Sequence, residues 1–405
     1  MDCETSARGV DGFCDENGPN PFEGTEKTME VEFIPTTDGP SADGDNGLRG
    51  ISREDWQDIV SCCQATILSE LSDTHVDSYL LSESSLFVYR HKIVVKTCGT
   101  TTLLACVPLL FTLAEGVGLK PDWIGYTRKN LLFPNLQVYP HQSFQQECDY
   151  LKQVCDLDGD AYILGPLSGE HLNMYVWDKY DETHSTNEST DRTLSLMMYG
   201  LDRDVAKLFL GRGSPAPLSS SKNDSISNAN VGAKQAKPDE RSKDMKVASN
   251  FFRTHLLPGA ELDEHYFEPC GYSMNGVKDG FYETIHITPE AGYSYASFET
   301  NFQMKSYNQL VRMIVSFFKP ERFMMVLCSD GGGLSEITED ATKECRLLPT
   351  ETISRSETNH SWVRRTKSVQ IFARDYQCIC SSYVRVEKGS TTQCHEHATT
   401  QFLFV

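Results

Sequence analysis

A serine placed directly after a peptide carbonyl can attack it, and Ser84 follows Glu83 in the run Leu81-Ser82-Glu83-Ser84-Ser85. Attack by Ser84 Oγ on the Glu83 carbonyl turns an amide into an ester. Removal of the Ser84 α-proton then expels the ester, and the dehydroalanine left behind rearranges and hydrolyses to a pyruvoyl group. Taken alone, these letters read first as a polar turn or a phosphorylation site. Three other segments carry chemistry-bearing residues. Lys96-Thr97-Cys98-Gly99-Thr100-Thr101 follows a β-rich run, so Cys98 stands at a strand end before a glycine turn. A thiol there can give or take a proton, although a lone cysteine is more simply a buried structural one. Pro269 to Gly276 (PCGYSMNG) precedes Tyr282 to Glu290 (YETIHITPE). The reading is a loop hydroxyl, Ser273, followed by His286 and Glu290 on one strand and its exit; histidine suits proton removal near neutral pH. Phe22-Glu23-Gly24-Thr25-Glu26-Lys27 offers a ring and two carboxylates, which suit a cationic substrate or simply cap an element.

These groups need elements to hold them. Met29 to Phe33 alternates like a strand with one buried face. Arg53 to Leu71 reads as an amphipathic helix through Trp56, Ile59, Val60, Cys63, Ile67 and Leu71. Tyr79–Tyr89 and Lys92–Thr97 are two β-rich runs around Arg90-His91. Thr101–Ala114, Phe144–Val154 and Tyr307–Phe318 read as helices, the last closed by Lys319-Pro320. Ala161–Leu164, Met174–Trp177, Leu194–Gly200, Phe281–Thr288, Ser294–Glu299, Phe323–Leu327, Ser368–Ala373 and Tyr376–Arg385 supply strands. Strands in clusters with helices between them predict an α+β fold with mainly antiparallel sheet. Residues 1–20 and 211–246 are too poor in large apolar side chains to offset the entropy of ordering, and are expected to be a disordered tail and insertion. Pro35–Gly50 reads as a loose stretch. No internal repeat is visible in the letters.

The chain has 405 residues, with 37 Lys+Arg against 57 Asp+Glu and a formal net charge of −20. Such a surface repels nucleic acid and anionic membrane and suits small cations, or serves solubility alone. Fourteen cysteines are scattered without a secretory leader, which predicts reduced thiols and a cytoplasmic protein. The longest apolar stretch, Thr102–Ala114, contains Pro108 and is too short to span a bilayer. Cys394-His395-Glu396-His397 is spaced too tightly for one tetrahedral metal site, so no metal is expected.

Together, FEGTEK, LSESSLFV, KTCGTT, RKN, the YPH tripeptide at Tyr139, DRTL at Asp191, PCGYSMNG, TIHITPE and SYASFETN resemble the eukaryotic S-adenosylmethionine decarboxylase family, in family order. The resemblance runs from about Phe22 to Lys319, the insertion excluded, and thins beyond Phe323. It implies a four-layer α/β/β/α sandwich of two mainly antiparallel sheets flanked by helices. It implies one decarboxylase domain over 21–405, self-cleaved between Glu83 and Ser84 into a 1–83 small chain and an 84–405 large chain. Ser84 becomes the covalent pyruvoyl cofactor and forms a Schiff base with S-adenosylmethionine; Cys98 returns a proton to the α-carbon. Ser273 and His286 serve processing, and Glu26 belongs to a nearby buried acidic group. Phe22 and Phe267 sandwich the adenine, Glu23 sits near the substrate and assists processing, and Glu290 binds the ribose hydroxyls. The product, decarboxylated S-adenosylmethionine, feeds spermidine and spermine synthesis.

The resemblance leaves putrescine activation open. Glu30, Asp191, Thr193 and Glu299 match members of an acidic diamine cavity, and Lys96 and Tyr376 match its polar neighbours. Ser195 stands where animal members carry a glutamate, Arg192 adds a cation that could do the work of internal arginines in plant members, and an aromatic wall position is Gly125. One position is missing in the Val277-Lys278-Asp279-Gly280 turn. Monomer and homodimer also remain open. The alternative is a non-catalytic regulatory partner; retention of Ser84, Cys98, Ser273, His286, Glu23 and Glu26 argues for the enzyme.

Overall fold

The first strand, β1 (Lys27–Pro35), turns Met29, Val31 and Phe33 to one face and Thr28, Glu30 and Glu32 to the other. That alternation sets the plan of the molecule: apolar faces lie under helices, and polar faces look inward between two sheets. The computed structural model describes residues 23–36, 46–179, 191–210, 243–268, 270–290, 292–336, 360–373 and 376–387. The expected disordered tail at 1–20, residues 211–242 of the insertion, Phe22 and the Cys394–His397 cluster lie outside them.

After β1, the first half runs α1 (Arg53–Cys62), β2 (Ile67–Ser72), β3 (Val76–Leu81), β4 (Ser84–Tyr89), β5 (Lys92–Thr97), α2 (Val107–Gly116), β6 (Leu119–Lys129), α3 (Phe144–Gln153), β7 (Asp160–Leu164) and β8 (Leu172–Asp178). The second half runs β9 (Arg192–Tyr199), α4 (Arg203–Lys207), α5 (Lys243–His255), β10 (Glu261–Tyr266), β11 (Tyr272–Lys278), β12 (Phe281–Thr288), β13 (Tyr295–Thr300), α6 (Asn308–Phe318), β14 (Arg322–Ser329), α7 (Gly331–Glu336), β15 (His360–Ile371) and β16 (Gln377–Glu387).

Each half makes one eight-stranded sheet, ordered β2-β3-β4-β5-β1-β6-β8-β7 and β10-β11-β12-β13-β9-β14-β16-β15. Adding eight to each strand number of the first order gives the second. The chain therefore repeats its topology, although its letters show no repeat. All the strand pairings are antiparallel.

The main cores lie between each sheet and its helices. Trp56, Val60, Leu110 and Leu151 pack on the outer face of the first sheet, and Phe252, Val311, Ile314 and Phe318 on that of the second. The expected four layers, α/β/β/α, result. Helix α6 shows why: Leu310, Val311, Ile314, Val315 and Phe318 fall on one stripe, and Lys319 in the left-handed region (φ 45°) ends it before Pro320.

Several sequence expectations need correction. The helix expected over Arg53–Leu71 stops at Cys62. Ser52 caps its start by accepting from the Asp55 amide at 3.1 Å, and Gln64 at φ 63° turns the chain, so Ile67 and Leu71 belong to β2. The run Tyr79–Tyr89 is two strands, broken at Ser82-Glu83. Gly47–Gly50, inside the expected loose stretch, forms a 3-10 turn held by the Leu48 amide on Arg90 O at 2.9 Å. Helix α5 begins at Lys243, inside the boundary drawn for the insertion. Strand β6, which the sequence reading omits, pairs β1; Pro121 and Gly125 hide its alternation, and a bulge falls between Glu32 and Phe33 opposite its start. Among the described residues, 1–83 supply helix α1 and strands β1, β2 and β3, and β1 lies between β5 and β6. A cut after Glu83 thus leaves the two pieces interleaved.

Candidate active site

Strands β3 and β4 pair Leu81 with Ser84, leaving Ser82-Glu83 as a two-residue turn. Tight hairpins of this length usually place glycine or asparagine at positive φ. Here the positive angle falls on Ser84, at φ 147°, which costs a residue with a side chain about 1–3 kcal/mol. The strain therefore sits beside the Glu83–Ser84 bond. Register Ser84↔Thr97 between β4 and β5 brings the next residue, Cys98, alongside the turn. Glu83 O accepts from the Cys98 amide at 2.9 Å and from Cys98 Sγ at 3.1 Å. Gly99 at φ 64° allows that turn, and Lys27 Nζ clamps it by donating to Gly99 O at 2.9 Å.

Ser84 Oγ donates to Glu26 Oε1 at 2.9 Å. Burial pushes Glu26 up, yet Lys96 at 3.6 Å, His286, Ser297 and Ser84 together hold its carboxyl below the usual range. Glu26 is thus an ionised acceptor for the Ser84 hydroxyl. Burial, with the Glu83 and Glu26 carboxylates, pushes the Cys98 thiol well above its ordinary value, so it keeps its proton at neutral pH.

The opposite wall comes from the second sheet. Ser273 and His286 are direct cross-strand partners on β11 and β12. Ser273 Oγ lies 2.8 Å from His286 Nδ1, while Nε2 meets Thr284 Oγ1 at 2.8 Å and Ser85 Oγ at 3.0 Å. Burial lowers His286 to about 4, Glu26 opposing and Lys96 reinforcing, so the ring is neutral. Ser273 was expected on a loop. It sits on a strand, because pairing with β10 on one side and β12 on the other overrides the turn-like letters around Asn275-Gly276.

Between the walls lies a cavity of about 200 Å³, lined by Ser84, Cys98, Phe267, Ser273, His286 and Glu290 among others. Glu290 Oε2 is buried there without a hydrogen-bond partner among the described residues. Cys270 also lines it, its thiol pushed up to about 12 by burial and Glu290. Glu23 does not line the cavity; its Oε2 accepts from the Leu132 and Phe133 amides at 2.7 and 2.9 Å and anchors the loop after β6. Phe22, the other expected adenine partner, lies outside the described residues.

A second polar region lies between the sheets, partly exposed at Lys92, Glu30 and Asp191. Lys92 pairs with Glu30 and, at 3.0 Å, with Asp191. Burial pushes Glu30 up, Lys92 opposing and Asp191 and Glu32 adding to it. Lys96 pairs with Glu299 at 2.7 Å, and Ser195 Oγ donates to the same carboxylate at 2.6 Å. Thr193 shares Ser195's face by strand alternation. Arg192 does not: it points to the outer face, donating to Met304 O at 2.7 Å with its guanidinium 5.9 Å over the Tyr307 ring. Its expected part in the acidic cavity is therefore withdrawn, since adjacent strand residues face opposite ways. The wall ring absent at Gly125 comes instead from Trp123, which fills the space a Gly125 Cβ would need and packs edge-on with Tyr376 at 5.5 Å. A cavity of about 40 Å³ lies beside Lys96, Ser195 and Glu299. Lys92 escaped the sequence reading, although its spacing from Lys96 on β5 puts both on one strand face. Ser85, Thr284 and Asn275 escaped it too, for want of the strand that aligns Asn275 with Ser273.

The family model for adenosylmethionine decarboxylase matches residues 19–384. An S-adenosylmethionine decarboxylase proenzyme of Dictyostelium discoideum is 37% identical over 372 residues, 91% of this chain and 86% of that protein. One of Drosophila melanogaster is 34% identical over 324 residues, 77% of this chain and 84% of its own. Proenzyme 3 of Arabidopsis thaliana is 36% identical over 336 residues, covering 80% and 85%.

Proposed function

The chain belongs to the S-adenosylmethionine decarboxylase proenzyme family, and from that premise we propose how its own residues make the cofactor and use it. It is a pyruvoyl-dependent decarboxylase that converts S-adenosylmethionine to S-adenosylmethioninamine and CO₂ for polyamine synthesis. The observation that carries the residue assignment is the Glu83 carbonyl, held by two Cys98 donors beside a strained Ser84.

Glu26 orients the Ser84 hydroxyl and draws off its proton as Oγ attacks Glu83. The negative charge developing on Glu83 O meets the Cys98 amide and thiol, donors already in place. The Ser273–His286 pair, with a neutral ring, takes the Ser84 α-proton, and the chain parts into 1–83 and 84–405. The pyruvoyl group formed at Ser84 supplies a carbonyl that accepts the electron pair released when CO₂ leaves. Cys98, holding its proton at Sγ, delivers it to the substrate α-carbon. Phe267 and Phe22 stack on the adenine, worth about 1–2 kcal/mol per good contact with the adjoining sulfonium. Glu290 takes the ribose hydroxyls with its unpartnered oxygen, and Glu23 serves substrate and processing by fixing the loop at Leu132-Phe133.

Putrescine has little to do in this chain. Lys92 and Lys96 already supply two ammonium groups to the acids, and the cavity of about 40 Å³ beside Lys96 and Glu299 suits water better than a diamine. A homodimer would form through the edge strands β7 and β15, whose Ile163, Val369 and Ile371 are exposed. Residues 21–405 act as one unit in the cytoplasm; the ten described cysteines are free, and no helix among the described residues is long and apolar enough to cross a membrane. Mass spectrometry of the purified protein tests the central reading. Two chains divided at Glu83/Ser84, with a blocked large-chain N-terminus, are expected; one intact chain would overturn it.

A further inference from the structure

His286 can carry its ring proton on either nitrogen, and the bare one is the base. The hydrogen bonds around it, with the Glu26 carboxylate nearby, point to one choice. The Tyr79 carbonyl can only accept, and it lies 3.3 Å from one end of the Asn275 side chain. That end is therefore Nδ2, which also reaches Ser78 Oγ at 3.0 Å. The other end, Oδ1, can only accept, and Ser85 Oγ donates to it at 2.6 Å. The single hydroxyl proton of Ser85 is then committed. Ser85 Oγ also lies 3.0 Å from His286 Nε2, where it can only accept, and the Glu26 carboxylate lies 3.8 Å from the same nitrogen, so the ring proton belongs on Nε2. Thr284 Oγ1, 2.8 Å from Nε2, then accepts it and can turn its own proton toward Ser85 Oγ at 3.3 Å. Nδ1 is left bare and receives the Ser273 hydroxyl at 2.8 Å.

We infer that Asn275 is a positioning residue: through Ser85 it fixes the Nε2–H tautomer of His286 and reserves Nδ1, the atom coupled to Ser273, as the basic nitrogen. This rests on the reading of Ser273 and His286 as the processing pair. Asn275 is fully buried and ties the two sheets together. It also brackets the scissile bond, because Nδ2 binds Ser78 and Tyr79 on the small-chain side and Oδ1 binds Ser85 on the large-chain side. One amide thus sets both the hairpin flanks and the protonation of the base.

The test is nitrogen NMR of ¹⁵N-histidine-labelled Ser84→Ala protein, which stays uncut, with His286 assigned by the signal missing from His286→Gln. A protonated Nε2 and an acceptor-type Nδ1 are expected. Ser85→Ala or Asn275→Leu in the same background should shift the ring toward a tautomer mixture. Ser85→Ala removes only one hydroxyl, so it stands if Asn275→Leu folds poorly. In chain that retains Ser84, Ser85→Ala should cut roughly ten-fold more slowly, the scale of a misdirected general base. A protonated Nδ1 in the Ser84→Ala protein, or a tautomer unmoved by both substitutions, overturns the inference. A Ser84 chain that never cuts would count against the processing reading alone, since the tautomer is read without cutting.

Discussion

Cys98 presents its amide and its thiol to one atom, the Glu83 carbonyl oxygen, at 2.9 and 3.1 Å. On the proposed mechanism one residue serves two moments of the enzyme's life. Before the cut it would steady the charge that grows on the Glu83 carbonyl. After it, the thiol that burial keeps protonated has a proton to give. Cys98→Ala should lose both, but unequally. The amide survives, so cutting should slow by less than the roughly 10²–10³ typical of losing an oxyanion donor. CO₂ release per mature chain should fall by about 10²–10⁴, the range for a lost general acid. Gel densitometry of cutting and labelled CO₂ release measure the two; equal losses would refute the division of labour.

Ser84→Ala removes the hydroxyl that Glu26 holds at 2.9 Å. A single polypeptide of 405 residues with no CO₂ release is the expected outcome. Uncut protein that still turns over, or a requirement for added pyridoxal, would contradict the mechanism.

The pH dependence of cutting should carry the mark of a buried histidine. His286 is lowered from 6.5 to about 4, so its base form persists as pH falls through the ordinary histidine range. The cutting rate of freshly refolded proenzyme should show no titration near 6.5 and should fall only as pH approaches 4. The same shift works against stability in acid: the unfolded chain takes up a proton below 6.5 that the folded ring refuses until about 4, so stability is lost across that window. A break in cutting rate at the ordinary histidine value would place the base elsewhere or show it to be solvated.

Lys92 occupies the space among Glu30, Glu32 and Asp191 that a free diamine cation would want. CO₂ release by the natural chain should therefore be unchanged by putrescine. Lys92→Ala should lose activity and regain part of it when putrescine is added. Strong activation of the natural chain would mean that the internal ammonium is no substitute.

Glu283 faces the helix side of β12, only 2% exposed, with Oε1 lacking a partner among the described residues. Burial raises its carboxyl from 4.5 to about 8, the Leu257 amide opposing. The protonated form is the one the fold accepts, so its contribution is complete below the unfolded value and is lost as pH rises toward 8. Glu283→Gln should match the parent in acid and exceed it by about 1–3 kcal/mol at alkaline pH, the scale of a relieved buried carboxylate. Denaturant melts at two pH values check this; an advantage independent of pH would point to packing.

The division between letters and fold runs through particular residues. Ser84, Cys98, Ser273 and His286 were legible because their short strings, taken together and in order, resemble one family; taken alone, each reads first as an ordinary structural residue. The helices at Phe144 and Tyr307 and most strand positions were legible because periodicity is local. What failed was also local in cause. Helical spacing continued through Ile67 and Leu71 by coincidence, since a left-handed Gln64 and pairing with β3 decide that segment. The Tyr79–Tyr89 run hid the break at Ser82-Glu83, because nothing in β propensity marks a hairpin whose strained residue is a serine.

By itself, then, the sequence determined the family and its reaction, and it supplied the proposal for the bond to be cut and for the residues around it. Only the tertiary structure decided which way each faces and what it touches. Arg192 and Thr193 are neighbours in the chain and strangers in the fold, because strand alternation sends them to opposite sides of a sheet. Lys92, Ser85 and Asn275 gain their meaning only when two sheets of the same topology meet face to face. Contacts between residues nearly two hundred positions apart leave no periodic trace in the letters; the burial that makes them strong is a property of the assembled layers.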